Sequence, residues 1–205
     1  MGLIQGIDMT SRALILALVA ASMVPGTASA QFSDSYNFLK SIRDRDGVKA
    51  NEIMSKPGSV LIDTRDTNTG EAGLHIVVRG RDLTWINFLL SKGARPDIRD
   101  KVGNTPLMVA AELRFPEAAL ALLQRRAQVD LANSSGETPL IRAVQLRDPA
   151  MVRLLLLAGA NPDKTDSIAG MSARDYAKRD NRGVAILKLL ETPRVKPAAV
   201  AGPKP

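Results

Sequence analysis

The chain has 205 residues and a net charge of +7 at neutral pH, and 45% of its residues are apolar although only 3% are aromatic. It contains no cysteine and a single histidine. These numbers exclude disulfide bonds, a lipid-modified N-terminal cysteine and thiolate metal sites. The apolar fraction is normal for a folded protein, and the basic charge favours acidic partners.

Residues 1–30 have the layout of a secretory signal peptide. Arg12 precedes an apolar run over residues 13–24, and small residues at positions 28–30 suit a cleavage site. The run is shorter than the ~20 residues that span a bilayer. We therefore expect an exported protein, periplasmic rather than secreted, that begins at Gln31 and has no membrane span after cleavage. An uncleaved N-terminal anchor is the alternative.

Nearly the same five-residue phrase occurs twice, 33 residues apart. Residues 103–107 read Gly-Asn-Thr-Pro-Leu, and residues 136–140 read Gly-Glu-Thr-Pro-Leu. Degraded copies of the phrase begin at Gly70 and Gly170. A fixed period of this length indicates stacked structural units, each of which contacts its neighbours, instead of one globular core.

The unit that begins at Gly103 serves as the reference. Thr105 can cap a helix, and Pro106 suits the first helical position because no N–H is needed there. The pattern predicts a first helix over residues 106–113 and, after a turn, a second helix over residues 116–123. An extended connection then leads to the next glycine.

These units resemble the ankyrin repeat, in which the phrase Gly-x-Thr-Pro-Leu-His-x-Ala-Ala precedes a Leu-rich helix and Gly-Ala. Residues 103–111 and 136–144 match its first half, and residues 89–94 and 155–160 match its second half. The resemblance covers about residues 36–191. It implies an all-α solenoid of stacked helix-turn-helix units with short β-hairpin connections.

We expect residues 31–191 to form about five repeats, of which the first and last are degenerate caps. The first unit lacks the Thr-Pro cap, and its connection is expected to be about three residues longer. In the last unit Arg174 stands where leucine is expected, and polar substitutions suit the ends of a stack. Residues 192–205, rich in Pro, Ala and Lys, are expected to be a disordered tail.

The only histidine, His75, follows Leu74 at the position of the histidine in the ankyrin phrase. The resemblance implies that it forms hydrogen bonds across neighbouring turns. A general base in a hydrolase is the less favoured alternative. Because the sequence has one histidine, no cysteine and no recognisable catalytic or metal-binding motif, we expect no enzyme activity, no metal site and no cofactor.

Two further features have structural interpretations. Trp85 lies in the second helix of its unit, in register with Ala118 and Met151, which predicts packing in the core. A series of aspartates recurs at the hairpins, where a short polar side chain can bond the turn backbone: Asp97, Asp130 and Asp163. A calcium site is disfavoured, because equivalent atoms of stacked repeats lie roughly 10 Å apart.

A series of arginines recurs with the same period, at a position where the ankyrin pattern usually has glycine: Arg81, Arg114 and Arg147. Arg45 joins the series at an offset of 36 residues. One interpretation is favourable charge at the end of the first helix, worth ~0.3–1 kcal/mol each. The alternative, which is compatible with the first, is a basic column that faces an acidic partner.

The resemblance implies that a partner binds the concave face, which consists of hairpin tips and first helices. We expect a protein–protein interaction module whose unknown partner has an acidic surface, with no small-molecule substrate. Binding of an anionic envelope polymer is the alternative, and export disfavours nucleic acid. Mapping residue by residue gives the candidate contacts Asn68, Glu71, Arg79, Lys101, Asn104, Glu112, Leu113, Ser134, Glu137, Gln145 and Leu146, together with the three periodic arginines Arg81, Arg114 and Arg147.

Overall fold

A computed structural model describes residues 26–56, 61–180 and 184–191, with side chains from residue 34 onward. This part of the chain contains ten α-helices, one short 3-10 helix at Leu61–Asp63 and no β-strand. The helices are α1 Gly26–Asp44, α2 Gly47–Met54, α3 Gly73–Arg79, α4 Leu83–Ser91, α5 Pro106–Glu112, α6 Pro116–Gln124, α7 Pro139–Gln145, α8 Pro149–Leu157, α9 Ala173–Arg179 and α10 Val184–Glu191.

Consecutive helices pack in pairs, and each pair is here called a unit, from the first (α1 and α2) to the fifth (α9 and α10). The first helices of successive units pack against one another in one row, and α4, α6, α8 and α10 pack in a second row. The two rows form a layered stack in which each unit contacts its neighbours. The all-α solenoid predicted from the sequence is therefore confirmed.

The third unit shows why the repeated phrase forms a helix. The Thr105 hydroxyl accepts the backbone N–H of Met108 at 3.2 Å, and Pro106 occupies the first turn. The predicted helices at 106–113 and 116–123 agree with α5 and α6 to within one residue at each end. Local capping therefore accounts for where these helices begin.

The connections between units are tight loops, and they do not contain the predicted β-hairpins as regular strands. Only isolated antiparallel bridges occur in the described residues, between Arg65 and Ala72 and between Thr165 and Ser172. Instead, one short polar side chain in each loop accepts backbone N–H groups of that loop, as Asp-type turns do. These side chains are Asp66, Asp100, Asn133 and Asp166.

Successive loops lie so close together that they require glycine. Gly103 has φ +82°, and a Cβ atom there would lie 2.7 Å from the backbone nitrogen of Ser134 in the next loop. Gly70 and Gly136 are equivalent positions with similar contacts. The close approach allows one backbone hydrogen bond between neighbouring loops, as from Ser134 N–H to the Val102 carbonyl at 3.1 Å. The recurring glycine therefore reflects both φ and space.

The core consists mainly of Leu, Val, Ile and Ala side chains between the two rows of helices. Ala118 and Met151 are fully buried, as their register predicts, but Trp85 is only half-buried. Its ring packs edge-to-face on Phe88 with centroids 5.2 Å apart, at the border of the core. The predicted core position of Trp85 is thus only partly correct, because a bulky indole exceeds the space that Ala118 occupies in the next unit.

Three sequence predictions fall wholly or partly outside the described residues. The predicted signal peptide lies outside as far as residue 25, and α1 begins at Gly26, before the predicted cleavage site. The predicted tail, residues 192–205, lies outside entirely, and residues 57–60 of the first connection lie outside as well. Within the described ranges, no helix is long and apolar enough to cross a membrane.

Candidate partner-binding surface

The loops and first helices of the stack form one face, here called the inner face, which contains two grooves. The loop groove has a volume of about 530 Å³ and lies between the loops of the third, fourth and fifth units. Its rim includes Val102 and Ile168, whose exposures of 59% and 81% are high for apolar residues. It is lined by Lys101, Val102, Asn104, Asn133, Ser134, Ser135, Glu137, Arg142, Gln145, Asp166, Ile168 and Tyr176.

The turn groove, of about 580 Å³, lies beside the ends of the first helices. Gln145 and Tyr176 line both grooves, so the two form one continuous surface across the fourth and fifth units. The turn groove is lined by Arg114, Val144, Gln145, Leu146, Arg147, Tyr176, Arg179 and Asp180.

The structure brings eight of the predicted contact residues into these grooves. The loop groove contains Lys101, Asn104, Ser134, Glu137 and Gln145, and the turn groove contains Arg114, Gln145, Leu146 and Arg147. Leu146 is half-buried, as is Leu113, which agrees with their expected partial exposure. The grooves do not include the remaining predicted residues: Asn68, Glu71, Arg79, Arg81, Glu112 and Leu113.

Charged residues of the second and third units pair with each other on the inner face. Arg79 donates from Nε to the Glu71 carboxylate, and its Nη1 lies 3.9 Å from the Glu112 carboxylate. Because these charges are largely mutually compensated, this end of the inner face offers less free charge than the sequence suggests. Asn68 is exposed at the tip of the same loop.

Glu137 differs from its predicted role as an exposed contact. It is buried, and its carboxylate accepts from Arg142 Nη2 at 2.7 Å. Burial raises the pKa of Glu137, although the nearby Arg142 charge opposes that shift. The Nε atom of Arg142 is itself buried without a hydrogen-bond partner among the described residues. This pair therefore forms the floor of the loop groove.

The sequence analysis missed further polar residues that line the loop groove, and two of these, Tyr176 and Asp166, bond each other. Tyr176 donates from its hydroxyl to Asp166 at 2.6 Å. That hydrogen bond lowers the pKa of Asp166 and raises the pKa of Tyr176. Asp166 could have been found as the loop residue in register with Asn133, and Ile168 as the residue in register with Val102.

The periodic arginines occupy a special backbone position. Arg45, Arg81, Arg114 and Arg147 all have left-handed φ values, between 51° and 60°. Glycine is favoured where a helix ends in this conformation, because it has no Cβ to clash with the preceding turn. The ankyrin preference for glycine at this position is explained by φ, and the four arginines adopt it at some conformational cost.

Each of these arginines contacts the next unit of the stack. Arg81 Nη1 donates to the carbonyl of Leu113 at 2.7 Å, and Arg114 donates to the carbonyl of Leu146. Leu113 and Leu146 are the C-terminal caps of α5 and α7. The predicted charge at a helix C-terminus is therefore present, but the helix belongs to the following unit.

Aspartates neutralise the two ends of this arginine column. Arg45 Nε donates to Asp82 at 2.7 Å, and Arg147 makes two bonds with Asp180, of 2.6 and 2.8 Å. Asp180 stands 33 residues after Arg147, at the next position of the series. The arginines of the predicted basic column therefore link neighbouring units. Two of them, Arg114 and Arg147, also line the turn groove.

The aspartate series also differs from its prediction. Asp97 and Asp130 do not bond their own turns but accept the backbone N–H groups of Gln128 and Asn161 in the following unit, each at 2.9 Å. Asp163 accepts instead from Arg174 Nε, at 2.8 Å. These aspartates hold adjacent units together, whereas the separate loop residues described above organise each turn.

His75 lies between the second and third units and is fully buried. Its Nδ1 accepts the backbone N–H of Ala72 at 3.2 Å, and its Nε2 donates to the Asn104 carbonyl at 2.9 Å. Burial lowers its pKa, so the ring is neutral at pH 7. Both ring nitrogens are occupied and the ring is inaccessible, which is the geometry of a structural histidine and disfavours the hydrolase alternative.

Neither groove contains a set of ligands for a metal ion. In the described ranges, no group of three or more His, Cys, Asp or Glu side chains is arranged to hold one. The chemistry of the inner face is that of hydrogen bonds, single charges and exposed apolar side chains, which is the chemistry of a binding surface.

Comparison with protein families agrees with this geometry. Residues 74–166 match the family model of ankyrin repeats in three copies. These residues are ankyrin repeats. The match extends from α3 to Asp166, so it includes the loops of the third and fourth units in the loop groove but ends before Ile168 and Tyr176. Ankyrin repeats act as protein–protein interaction modules and are generally not catalytic.

Proposed function

We propose that the two grooves of the inner face, between the third and fifth units, are the site at which this ankyrin-repeat protein binds a partner protein. The observation that carries the proposal is the exposure of Val102 and Ile168 at the rim of a polar groove. Apolar side chains beside hydrogen-bonding groups are typical of the centre of protein interfaces. Gln145 and Tyr176 extend the surface from one groove into the other.

We further propose that the partner presents acidic groups to this surface. Lys101 is exposed on the loop groove and Arg114 is exposed on the turn groove, whereas Glu137 and Asp166 are buried and already accept hydrogen bonds. The exposed charge at the grooves is therefore basic. The net charge of +7 acts in the same direction by steering acidic partners toward the chain.

The proposed location is the periplasm, after export directed by residues 1–30. The signal-peptide layout of the sequence supports this location. Fusion of the full chain to a reporter that is active only after export tests it. A reporter that stays inactive in the fusion, but is active behind a known signal peptide, would contradict export.

Site-specific photo-cross-linking in the native compartment tests the binding surface. A photoreactive residue at Ile168 should cross-link one partner species, and the additional change Lys101→Glu should reduce its yield. Leu157 is the matched control, because it is 76% exposed and lies at the end of α8 in the other row of helices. Equal yields from positions 168 and 157 would reject the inner face as the binding site.

Binding of an anionic envelope polymer remains the alternative prediction. The specific feature in its favour is the composition of residues 192–205, which contain Arg194, Lys196 and Lys204 and no acidic residue. Such binding should weaken steeply with added salt, because counterions compete for the charges. A complex that persists at high salt and depends on Ile168 instead supports a protein partner.

A further inference from the structure

One arginine of the turn groove, Arg179, has no carboxylate partner in the described part of the chain. It is exposed at the end of α9 and lines the groove together with Arg114, Arg147 and Asp180. Its Nη1 lies 3.9 Å from the sulfur of Met171. Because a thioether is a weak and uncharged acceptor, this contact leaves the guanidinium charge uncompensated.

The second unit shows how an arginine at this position is compensated. Arg79 ends α3 as Arg179 ends α9. It donates from Nε to Glu71, eight residues earlier in the chain, and its Nη1 lies 3.9 Å from Glu112 in the next unit. Met171 likewise stands eight residues before Arg179. In the fifth unit a thioether therefore occupies the place of the Glu71 carboxylate.

Neighbouring residues of the stack do not supply the missing carboxylate either. The helices α3, α5, α7 and α9 end at Arg79, Glu112, Gln145 and Arg179. Neighbours in this series face each other, as Arg79 and Glu112 do, but the neighbour of Arg179 in the fourth unit is the neutral Gln145. Asp180 already accepts two hydrogen bonds from Arg147, of 2.6 and 2.8 Å.

The turn groove contains a second guanidinium without a carboxylate partner among the described residues, that of Arg114. It is exposed, and it donates to the neutral carbonyl of Leu146. The charged groups that line this groove are three arginines and one aspartate, which gives a net charge of +2. Since a guanidinium pairs with a carboxylate through directed, charge-assisted N–H bonds, the groove is suited to an acidic side chain.

We propose that the turn groove receives a carboxylate side chain of the partner protein between Arg179 and Arg114, in the role that Glu71 has beside Arg79. Leu146 lines the same groove and offers apolar surface to the methylene groups of that side chain. The assignment rests on the proposed function of the inner face. It adds the place where the acidic group of the partner binds and the arginine that anchors it.

Binding of a dye-labelled hexaglutamate peptide to the full chain, measured by fluorescence anisotropy at low salt, tests the site. Arg179→Met should weaken binding about fivefold, the effect of losing one partly exposed charge pair. Arg79→Met is the matched control, because it removes the same charge from the same position of α3. It should weaken binding much less, since that arginine is already paired with Glu71 and Glu112. Equal losses in the two variants would show an effect of net charge alone and would overturn the proposal.

A second variant fills the site from within the chain. Met171→Glu places a carboxylate eight residues before Arg179 and so recreates the pair of the second unit. It should weaken hexaglutamate binding about as much as Arg179→Met, although the arginine remains, and Met171→Gln should not. Full binding by Met171→Glu would contradict the proposed position of the carboxylate. Tighter Arg179-dependent binding of inorganic polyphosphate than of hexaglutamate would assign the groove to phosphate groups and would overturn the proposal as well.

Photo-cross-linking from position 168 in the native compartment separates this site from the proposed function. Arg179→Met should lower the yield of the cross-linked partner, and Arg79→Met should not. If the yield responds to Lys101→Glu but not to Arg179→Met, the inner face remains the binding site and the anchoring role of Arg179 is wrong. If position 168 gives no cross-link, the inner face is rejected and the carboxylate site with it.

Discussion

The second and third units reach the same helical geometry by different means. In the third unit Thr105 caps α5 with its own hydroxyl. In the second unit Ala72 occupies the capping position and offers no side-chain oxygen. There the His75 ring accepts the Ala72 N–H and also bonds the next unit. A local cap thus stabilises the start of α5, whereas the start of α3 is stabilised by His75, which bonds both its own unit and the next.

At the second helices the opposite holds: the second unit has the local capping residues, and the third unit lacks them. In the second unit Asp82 caps α4, and Gly93 supplies the left-handed residue after it. In the third unit Phe115 provides no cap to α6, and Arg126 adopts φ 64° where its neighbours have glycine. Arg81 of the preceding unit lies 4.7 Å above the Phe115 ring. Contacts between units therefore compensate for local signals that a unit lacks.

The largest effect is expected where the second unit depends on the histidine. His75→Ala leaves the buried Ala72 N–H without a partner and removes one of the two hydrogen bonds to the Asn104 carbonyl, which keeps the N–H of Asp100. These losses should cost about 2 kcal/mol of unfolding free energy. Urea denaturation followed by circular dichroism measures the loss. His75→Gln is the control, because an amide has both a donor and an acceptor. A loss below that of Thr105→Ala would show that the second unit does not depend on this ring.

The same dependence predicts a pH effect of smaller size. Since burial holds the pKa of His75 below its unfolded value of 6.5, the unfolded chain binds the extra proton first. Stability should therefore be fully present above pH 6.5 and fall as the pH drops below it. His75→Gln should remove this slope between pH 7 and 5. An unchanged slope in the variant would place the titration elsewhere, although the chain has no other histidine.

The local cap of the third unit should contribute less than the shared histidine. Thr105→Ala removes the acceptor for the Met108 N–H and should lower stability by about 1 kcal/mol. Thr105→Ser retains the hydroxyl and should lose much less. Thr138→Ala tests the same cap in the fourth unit, where Thr138 accepts from Ile141. If Thr105→Ala left the stability in thermal and urea unfolding unchanged, the capping role would be refuted.

The smallest effect on stability is expected at Arg126, which follows the second helix of the third unit. Arg126→Gly should stabilise the protein by about 0.5 kcal/mol, because relief of the left-handed conformation exceeds the entropy that glycine adds to the unfolded chain. Arg114→Gly is the matched comparison at φ 51°, where relief is offset by loss of the hydrogen bond to Leu146. Equal gains at both positions would show that this link between units contributes nothing.

Much of the repeat could be predicted because its signals are local. The Thr-Pro caps, the helix limits of the third unit and the burial of His75 follow from neighbours within a few residues or from the register of the phrase. The predicted hydrogen-bond partners of Asp97, Asp130 and Asp163 were wrong, because a short carboxylate can reach either its own turn or the next unit. The groove residues Arg142 and Tyr176 were missed, since each is an exception to the repeat at its position.

By itself, the sequence determined the period and the helix boundaries of the third unit, because capping, turn chemistry and apolar spacing act over one or two turns of chain. The ankyrin fold followed from the resemblance of the repeated phrase to that family. Only the tertiary structure decided how the units are linked. Arg81 and Asp97 meet their partners about one period away along the chain. Stacking decides whether such a charge faces a neighbour or solvent, and so which residues remain exposed on the inner face for a partner.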